Sequence, residues 1–500
     1  MTAIGDHQPR SILQSIARRA MIARGLLPDF TPAAMVELDA IRGPVAATDA
    51  ATRDLRHLPW CSIDNDDSRD LDQISVAEIL PDGATRLLVA IADVSSAVKQ
   101  GSAIDDSARQ NTTSVYTVAQ TFPMLPEKLS TDLTSLNPDV DRLAIVVAMQ
   151  FSADGSLATS EIFPATVRNL AKLAYNSVAA WLEGTAPMPK AIGAVAALAD
   201  NIKLQHRVAC QLAEVRHQNG ALSLETLQTR PMFDGAILTG LEVDAPNSAK
   251  RLIEDLMIAS NGVTARYLAA KRFPSIRRVV RVPKSWNRIV DLAAEHGSIL
   301  PKEPDPKALE LFLVAAKAAN PAGFSGLSLS IIKLLGAGEY DLVLPGAPVA
   351  GHFGLAVRDY SHSTAPNRRF PDVITQRLLK AAMAGGPPPY TNDELAVLAK
   401  HCTEQEDAAK KVERQVEKSA AAMLLCSSIG QQFDATVTGV TDRGTWVLLS
   451  QPPVEGKLDN GPAGLQVGNP LRVQLVSTDV ERGFIDFIGI GDRFAAVSRS

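Results

Sequence analysis

Apolar positions recur at helical spacing near the start of the chain, where Ile12, Leu13, Ile16, Ala20 and Met21 share one face and Pro28 and Pro32 close the pattern. Residues 1–55 are therefore expected to form a short helical region. From Leu58 the pattern is mixed. Strand-like runs are predicted at Leu87 to Val94, Leu143 to Phe151 and Ile276 to Val282, with a helix over Lys250 to Arg272. This alternation fits one large α+β domain over residues 56–385. The run GGPPPY breaks it, and Thr391 with Glu394 forms a capping-box signature that opens a long helix, so residues 386–429 read as linker and helix. Beyond them, FDATVTGVTDRGTWVLL, VEGKL and LRVQLVSTDVERGFIDF alternate apolar and polar residues between glycine-bearing turns, which predicts a small β-barrel over 430–495.

Composition narrows the classes. With 50 basic and 55 acidic residues among 500, the net charge of −5 argues against a protein that coats nucleic acid by bulk charge, but not against local basic tracks. Cys61, Cys210, Cys402 and Cys426 are scattered, so neither a zinc ribbon nor a disulfide framework is suggested, and a reducing cytoplasm is the expected compartment. No apolar run approaches the roughly 18 residues of a membrane span, and the polar start lacks a signal-peptide core, so no membrane partner is expected.

The stretch CSIDNDDSRDLDQ places Asp64, Asp66, Asp67, Asp70 and Asp72 within nine positions. Carboxylates this close repel one another, so a fold that orders them needs a compensating cation. A solvated acidic loop is the bland reading. A calcium loop fails at Arg69, where glycine would be needed, and at Ser75, where a bidentate glutamate would be needed. An all-oxygen site for Mg²⁺ or Mn²⁺ remains, with Ile63 and Leu71 tying the loop to the core.

That stretch, followed by LLVAIADVSSAV, SVYTVAQTFPMLPEKLSTDLTSLN, IEDLMIASN and HFGLAVRDYSHSTAPNRRFPD, resembles the catalytic (RNB) domain of the ribonuclease II and ribonuclease R family. The resemblance implies a metal-dependent 3′ to 5′ exoribonuclease that hydrolyses single-stranded RNA to 5′-nucleoside monophosphates, using Mg²⁺ or alternatively Mn²⁺. The family's four signature aspartates fall on Asp64, Asp70, Asp72 and Gln73. The last is a departure: an amide oxygen can ligate metal but brings no charge. An RNA-binding protein with a weakened or inactive site is the alternative reading.

The same resemblance puts Tyr116 against a base near the 3′ end, Arg368 and more weakly Arg369 at phosphate, and Glu413 beside the RNA end. Glu254 with Asp255 would receive a ribose hydroxyl. Ser419 stands where the family usually carries tryptophan. The basic run Lys271, Arg272, Arg277, Arg278, Arg281 and Lys284 could offer a phosphate track along a strand. The terminal module resembles the OB-fold RNA-binding domain of these enzymes, with Trp446 as a base-stacking candidate. The N-terminal cold-shock barrels of the family have no room in 55 residues, so this reads as a short form, by default a monomer.

Overall fold

A computed structural model describes residues 9–47, 50–152, 155–225, 229–234, 237–321, 323–441, 444–462 and 464–490. Two helices open it, α1 (Pro9–Ala23) and α2 (Pro32–Ala40). Pro32 does not end the helical region as its position in the sequence suggests. Thr31 caps α2 by accepting the Ala34 N–H, and the proline occupies a first-turn position where its missing N–H costs nothing.

The catalytic half is built on a seven-stranded sheet of β1 (Arg53–Asp54), β2 (Cys61–Asp64), β3 (Gln73–Ile79), β4 (Thr85–Ala92), β7 (Asp141–Phe151), β8 (Leu157–Arg168) and β9 (Ala171–Ala174). Its order is β1-β8-β7-β4-β3-β2-β9. Neighbours run antiparallel except β1 with β8 and β2 with β9 at the edges. The predicted strand at Leu87 to Val94 stops at Ala92, because Asp93 turns the chain into a short helix by accepting the Ser96 N–H. Between β4 and β7 lie α3 (Ala103–Asn111) and a hairpin of β5 (Val115–Tyr116) and β6 (Thr121–Phe122).

Beyond β3's single pairing with β2 at Ser75, helix α4 (Leu198–Gln218) covers the exposed edge of β3. One turn apart on α4, Asn201 and Gln205 present amides to that edge. Asn201 accepts the Ala77 N–H (3.1 Å) and donates to the Ala77 carbonyl (2.6 Å), and Ser75 Oγ donates to Gln205 (2.6 Å). These side chains replace a missing neighbour strand. Asn201→Ala leaves a buried donor and acceptor unpaired and is expected to lower stability by about 1–3 kcal/mol, read as a drop in urea midpoint.

The region after α4 adds paired strands β10 (Thr229–Asp234) and β11 (Ile237–Val243), helix α5 (Ser248–Ala270), and strand β12 (Ser275–Val279). Three helices follow, α6 (Trp286–Glu295), α7 (Pro306–Ala319) and α8 (Phe324–Leu335), which form a separate small core around Trp286, Phe312 and Phe324. Strand β13 (Glu339–Val343) pairs with β12, and α9 (Phe370–Met383) follows.

Half of the basic run is structural. Arg277 is buried and reaches Asp359, the Ala265 carbonyl and Ser275. Arg278 is buried against Glu406 and over the Tyr340 ring, and Arg281 is paired with Glu339 and Asp341. These three arginines are engaged within the fold, while Lys271, Arg272 and Lys284 of the same run are exposed.

Helix α10 (Asn392–Leu425) opens on the capping box between Thr391 and Glu394 and crosses the molecule. Its buried Ala409, Val412, Val416 and Ala420 pack with Leu13, Ile16, Ala17 and Met21 of α1 and with Val115 and Phe122 of the hairpin. One core thus holds three segments that lie far apart in sequence. The barrel is closed by β14 (Gln432–Thr441), β15 (Gly444–Leu449), β16 (Glu455–Leu458), β17 (Pro470–Asp479) and β18 (Phe484–Gly489). Ser419 sits fully buried where α10 meets the turn between β17 and β18, and a Cβ on Gly483 would lie 3.0 Å from its backbone nitrogen. A tryptophan has no space there. Among the described residues no helix is long and apolar enough to cross a membrane.

Candidate active site

The acidic loop joins β2 to β3 and is clasped from outside. Leu71 donates its N–H to Ser135 Oγ (2.9 Å), Ser135 Oγ donates to the Arg69 carbonyl (2.8 Å), and the Leu136 N–H meets the Leu71 carbonyl (2.9 Å). Lys172 Nζ grips the Ser68 carbonyl at 2.5 Å. Ile63 and Leu71 are both buried and anchor the loop to the core.

This clasp turns the aspartates in different directions. Asp66 and Asp67 face solvent, whereas Asp64 ends β2, accepts the Asn65 N–H at 2.7 Å and is pushed up in pKa mainly by burial. Asp72 is only 6% exposed. Its Oδ1 accepts the backbone N–H of Asn367 (2.8 Å), and Arg368 Nε lies 3.4 Å from its Oδ2. Burial, with Asp70 adding repulsion against the pull of Arg368, raises the Asp72 carboxyl to about 8. Gln73 begins β3, and its Oε1 is buried with no hydrogen-bond partner.

Tyr116 enters from the hairpin. Because Val115 and Phe122 are fixed in the core, Tyr116 points the other way, 43% exposed, and its hydroxyl donates to Asp70 Oδ2 at 2.9 Å. Burial and the charge of Asp70 raise the phenol's pKa. Glu413 of α10 accepts the Tyr116 backbone N–H at 2.9 Å, and its own carboxyl is pushed up by burial. The foot of the hairpin is pinned to the arginine loop, since the Ser114 N–H meets the Arg368 carbonyl at 3.0 Å. Asp70, Asp72, Tyr116, Arg368 and Glu413 therefore form one connected group, with the Asp64 carboxyl within electrostatic reach of Asp70 and Arg368, and Gln73 next to Asp72 in the chain.

The other candidates lie elsewhere. Arg369 donates to Asp372 Oδ1 at 2.8 Å, which takes up its guanidinium within the fold. Glu254 is exposed on α5, while its neighbour Asp255 is buried and paired with Arg216, leaving only Glu254 for a ribose. Trp446 stands on the outer face of the barrel opposite Lys457, and Gly439 leaves space beside its ring. Two residues beside the carboxylates escape a reading based on charge. Asn367 is fully buried, with its N–H on Asp72 and its Oδ1 at 2.6 Å from Thr134 Oγ1. Tyr175 follows Ala174, which pairs with Asp64 across β2 and β9, and its phenol is raised by burial and by Asp64. The strand register was the signal that could have found Tyr175.

The carboxylates and the Gln73 amide supply only hard oxygens, and Gln73 Oε1 is buried without a hydrogen-bond partner, so the residues present fit a hard divalent ion. Among the described residues no three carboxylate, imidazole or thiol groups converge into a closed metal cage. Asp70 and Asp72 are instead engaged by Tyr116, Asn367 and Arg368.

The chain is similar to known proteins in sequence and in fold. The RNB domain family matches residues 52–385, and the RNase II-type exonuclease C-terminal S1 domain matches residues 431–488. Ribonuclease R of Vibrio parahaemolyticus is 30% identical over 418 residues, spanning 81% of this chain and 49% of that protein. Ribonuclease R of Escherichia coli K12 is 30% identical over 417 residues, with 81% and 50% covered. The chain thus spans about half the length of these curated relatives. In fold it is similar to Mycoplasma genitalium RNase R in complex with ribose-methylated single-stranded RNA, with a TM-score of 0.85 at 22% identity over 97% of this chain and 78% of that one. It is also similar to yeast Ssd1, a pseudonuclease, with a TM-score of 0.69 at 17% identity over 90% and 55%. The match over residues 52–385 gives the assignment: the chain belongs to the RNB-domain family, with the S1 domain of the RNase II-type exonucleases at residues 431–488.

Proposed function

We propose that this protein is an exoribonuclease that shortens single-stranded RNA from its 3′ end, releasing 5′-nucleoside monophosphates. The observation that carries this reading is the convergence of Asp70, Asp72, Arg368, Tyr116 and Glu413 from four separate segments into one hydrogen-bonded group. Each has a part in the reaction. Tyr116 is 43% exposed and offers an aromatic ring on which a terminal base can stack, and Glu413 fixes the backbone from which it projects. Arg368, 45% exposed beside Asp72, can turn its fork to the scissile phosphate and oppose charge that builds on the oxygens. Asp64, Asp70, Asp72 and Gln73 would hold a divalent ion, Mg²⁺ or Mn²⁺, which supplies an activated water and charge neutralisation when bound. Glu254 and Trp446 are the proposed contacts of the strand outside this group. The four cysteines are free thiols, in keeping with the reducing, cytoplasmic setting proposed for a protein that works as a monomer.

The test uses single-stranded RNA labelled at either end, with Mg²⁺ or Mn²⁺. The 3′ label is expected in mononucleotides from the first time point while the 5′ label stays on shortening fragments. Retention of RNA without nucleotide release would favour the binding-protein reading instead. Arg368→Ala is expected to slow hydrolysis by roughly a hundredfold, measured as single-turnover rate, since one preorganised donor to a developing oxyanion contributes on that scale.

A further inference from the structure

The side chains that would handle RNA rest on the carboxylates that would handle metal. Tyr116 Oη donates to Asp70 Oδ2 at 2.9 Å, and Arg368 Nε stands 3.4 Å from Asp72 Oδ2. Both Tyr116 and Arg368 are only half-buried, so each has room to swing outward. The backbones beneath them do not share that freedom. Val115 and Phe122 lock the hairpin into the core, Glu413 takes the Tyr116 N–H, and the Ser114 N–H binds the Arg368 carbonyl.

We propose that Tyr116 is a gate on the metal site, so that RNA and the divalent ion bind cooperatively. The inference rests on the proposed function, because it assigns the ion to Asp64, Asp70 and Asp72. A hydroxyl proton on Asp70 competes with a cation for the same oxygen. A base stacking on Tyr116 would draw the ring off Asp70, and a phosphate would draw Arg368 off Asp72, freeing both carboxylates. By linkage, whatever RNA adds to the affinity for metal, metal adds equally to the affinity for RNA. The consequence is a resting enzyme with weak metal occupancy, which acquires its ion together with its substrate.

The experiment is a Mn²⁺ titration of the full chain followed by electron paramagnetic resonance. It is run without RNA and with a saturating short single-stranded RNA whose 3′-terminal linkages are phosphorothioates. Wild type is expected to bind Mn²⁺ about tenfold more tightly with RNA, within the usual range of coupling between sites. Tyr116→Phe keeps the ring and removes the proton. It is expected to bind Mn²⁺ about tenfold more tightly than wild type without RNA, and to gain less than about threefold from RNA. The sign separates this from damage, since a disordered site would bind metal more weakly. Equal RNA-free affinity in the two proteins would overturn the gate, as would a wild type whose Mn²⁺ affinity ignores RNA or one that binds no Mn²⁺ at all. Hydrolysis of unmodified RNA is scored separately. A protein that shows the coupling but releases no nucleotide would sink the nuclease reading and leave the gate standing.

Discussion

Asp72→Asn is expected to abolish RNA hydrolysis, by about a thousandfold or more, while leaving RNA affinity measured in chelator within a few-fold of wild type. Asparagine keeps the size of the side chain and an oxygen to accept the Asn367 N–H, so the loop has no reason to move. What it removes is a charge, and in a site that works by concentrating charge around a phosphodiester one carboxylate accounts for several kcal/mol of the barrier. Asp72 is also the most buried of the three candidate metal-binding aspartates, and its burial outweighs the offset from Arg368 at 3.4 Å and from the Asn367 N–H. Burying a carboxylate so poorly compensated weakens the metal-free fold. In chelator the Asp72→Asn protein should therefore melt at or above the wild-type temperature. Single-turnover decay, filter binding and thermal unfolding on the same preparations check the three parts. Loss of activity with a lowered melting temperature would point to a damaged fold in place of a missing catalytic charge.

How far this site could be read from sequence depended on whether its parts are local. The acidic loop, the Tyr116 hairpin and the NRR segment each announce themselves in a short stretch, and the structure brings Asp64, Asp70, Asp72, Tyr116, Arg368 and Glu413 together. The capping box at Thr391 was equally local. Long-range neutralisation was not visible. Arg277 and Arg278 looked like a free basic track because their partners, Asp359 and Glu406, lie 82 and 128 residues away. Arg369 looked like a second, weaker phosphate contact beside Arg368, although a residue three places on, Asp372, takes it into the fold. Nor could charge reveal Asn367, which acts on Asp72 through its backbone N–H. The parallel edge pairings of β1 with β8 and β2 with β9 are set by contacts more than a hundred residues apart, which alternation within a strand cannot encode.

The largest loss of stability is expected at Asp372, and it should carry activity with it. Asp372 is fully buried in the first turn of α9, where a negative charge also meets the positive end of the helix. Its Oδ1 accepts both the Ala365 N–H and Arg369 Nη2 at 2.8 Å. One carboxylate thus closes the turn that presents Asn367 to one face of Asp72 and Arg368 to the other. Asp372→Ala leaves Arg369 without its partner among Tyr340 and Tyr360, and breaking a buried pair from one side costs about 3–5 kcal/mol. With the turn released, Arg368 loses its fixed distance to Asp72, so hydrolysis by the fraction still folded should fall by about tenfold to a hundredfold, the usual cost of small misplacements in an active site. Chemical denaturation of Asp372→Ala, Arg369→Met and the double variant separates the two effects. The double variant should recover much of the stability, because removing both charges leaves neither one stranded. It should not recover the rate, because the Ala365 N–H remains without its acceptor and the turn stays loose. If activity returned together with stability, Asp372 would serve only to neutralise Arg369, and the placement of Arg368 would have to come from the hairpin contact at Ser114 alone.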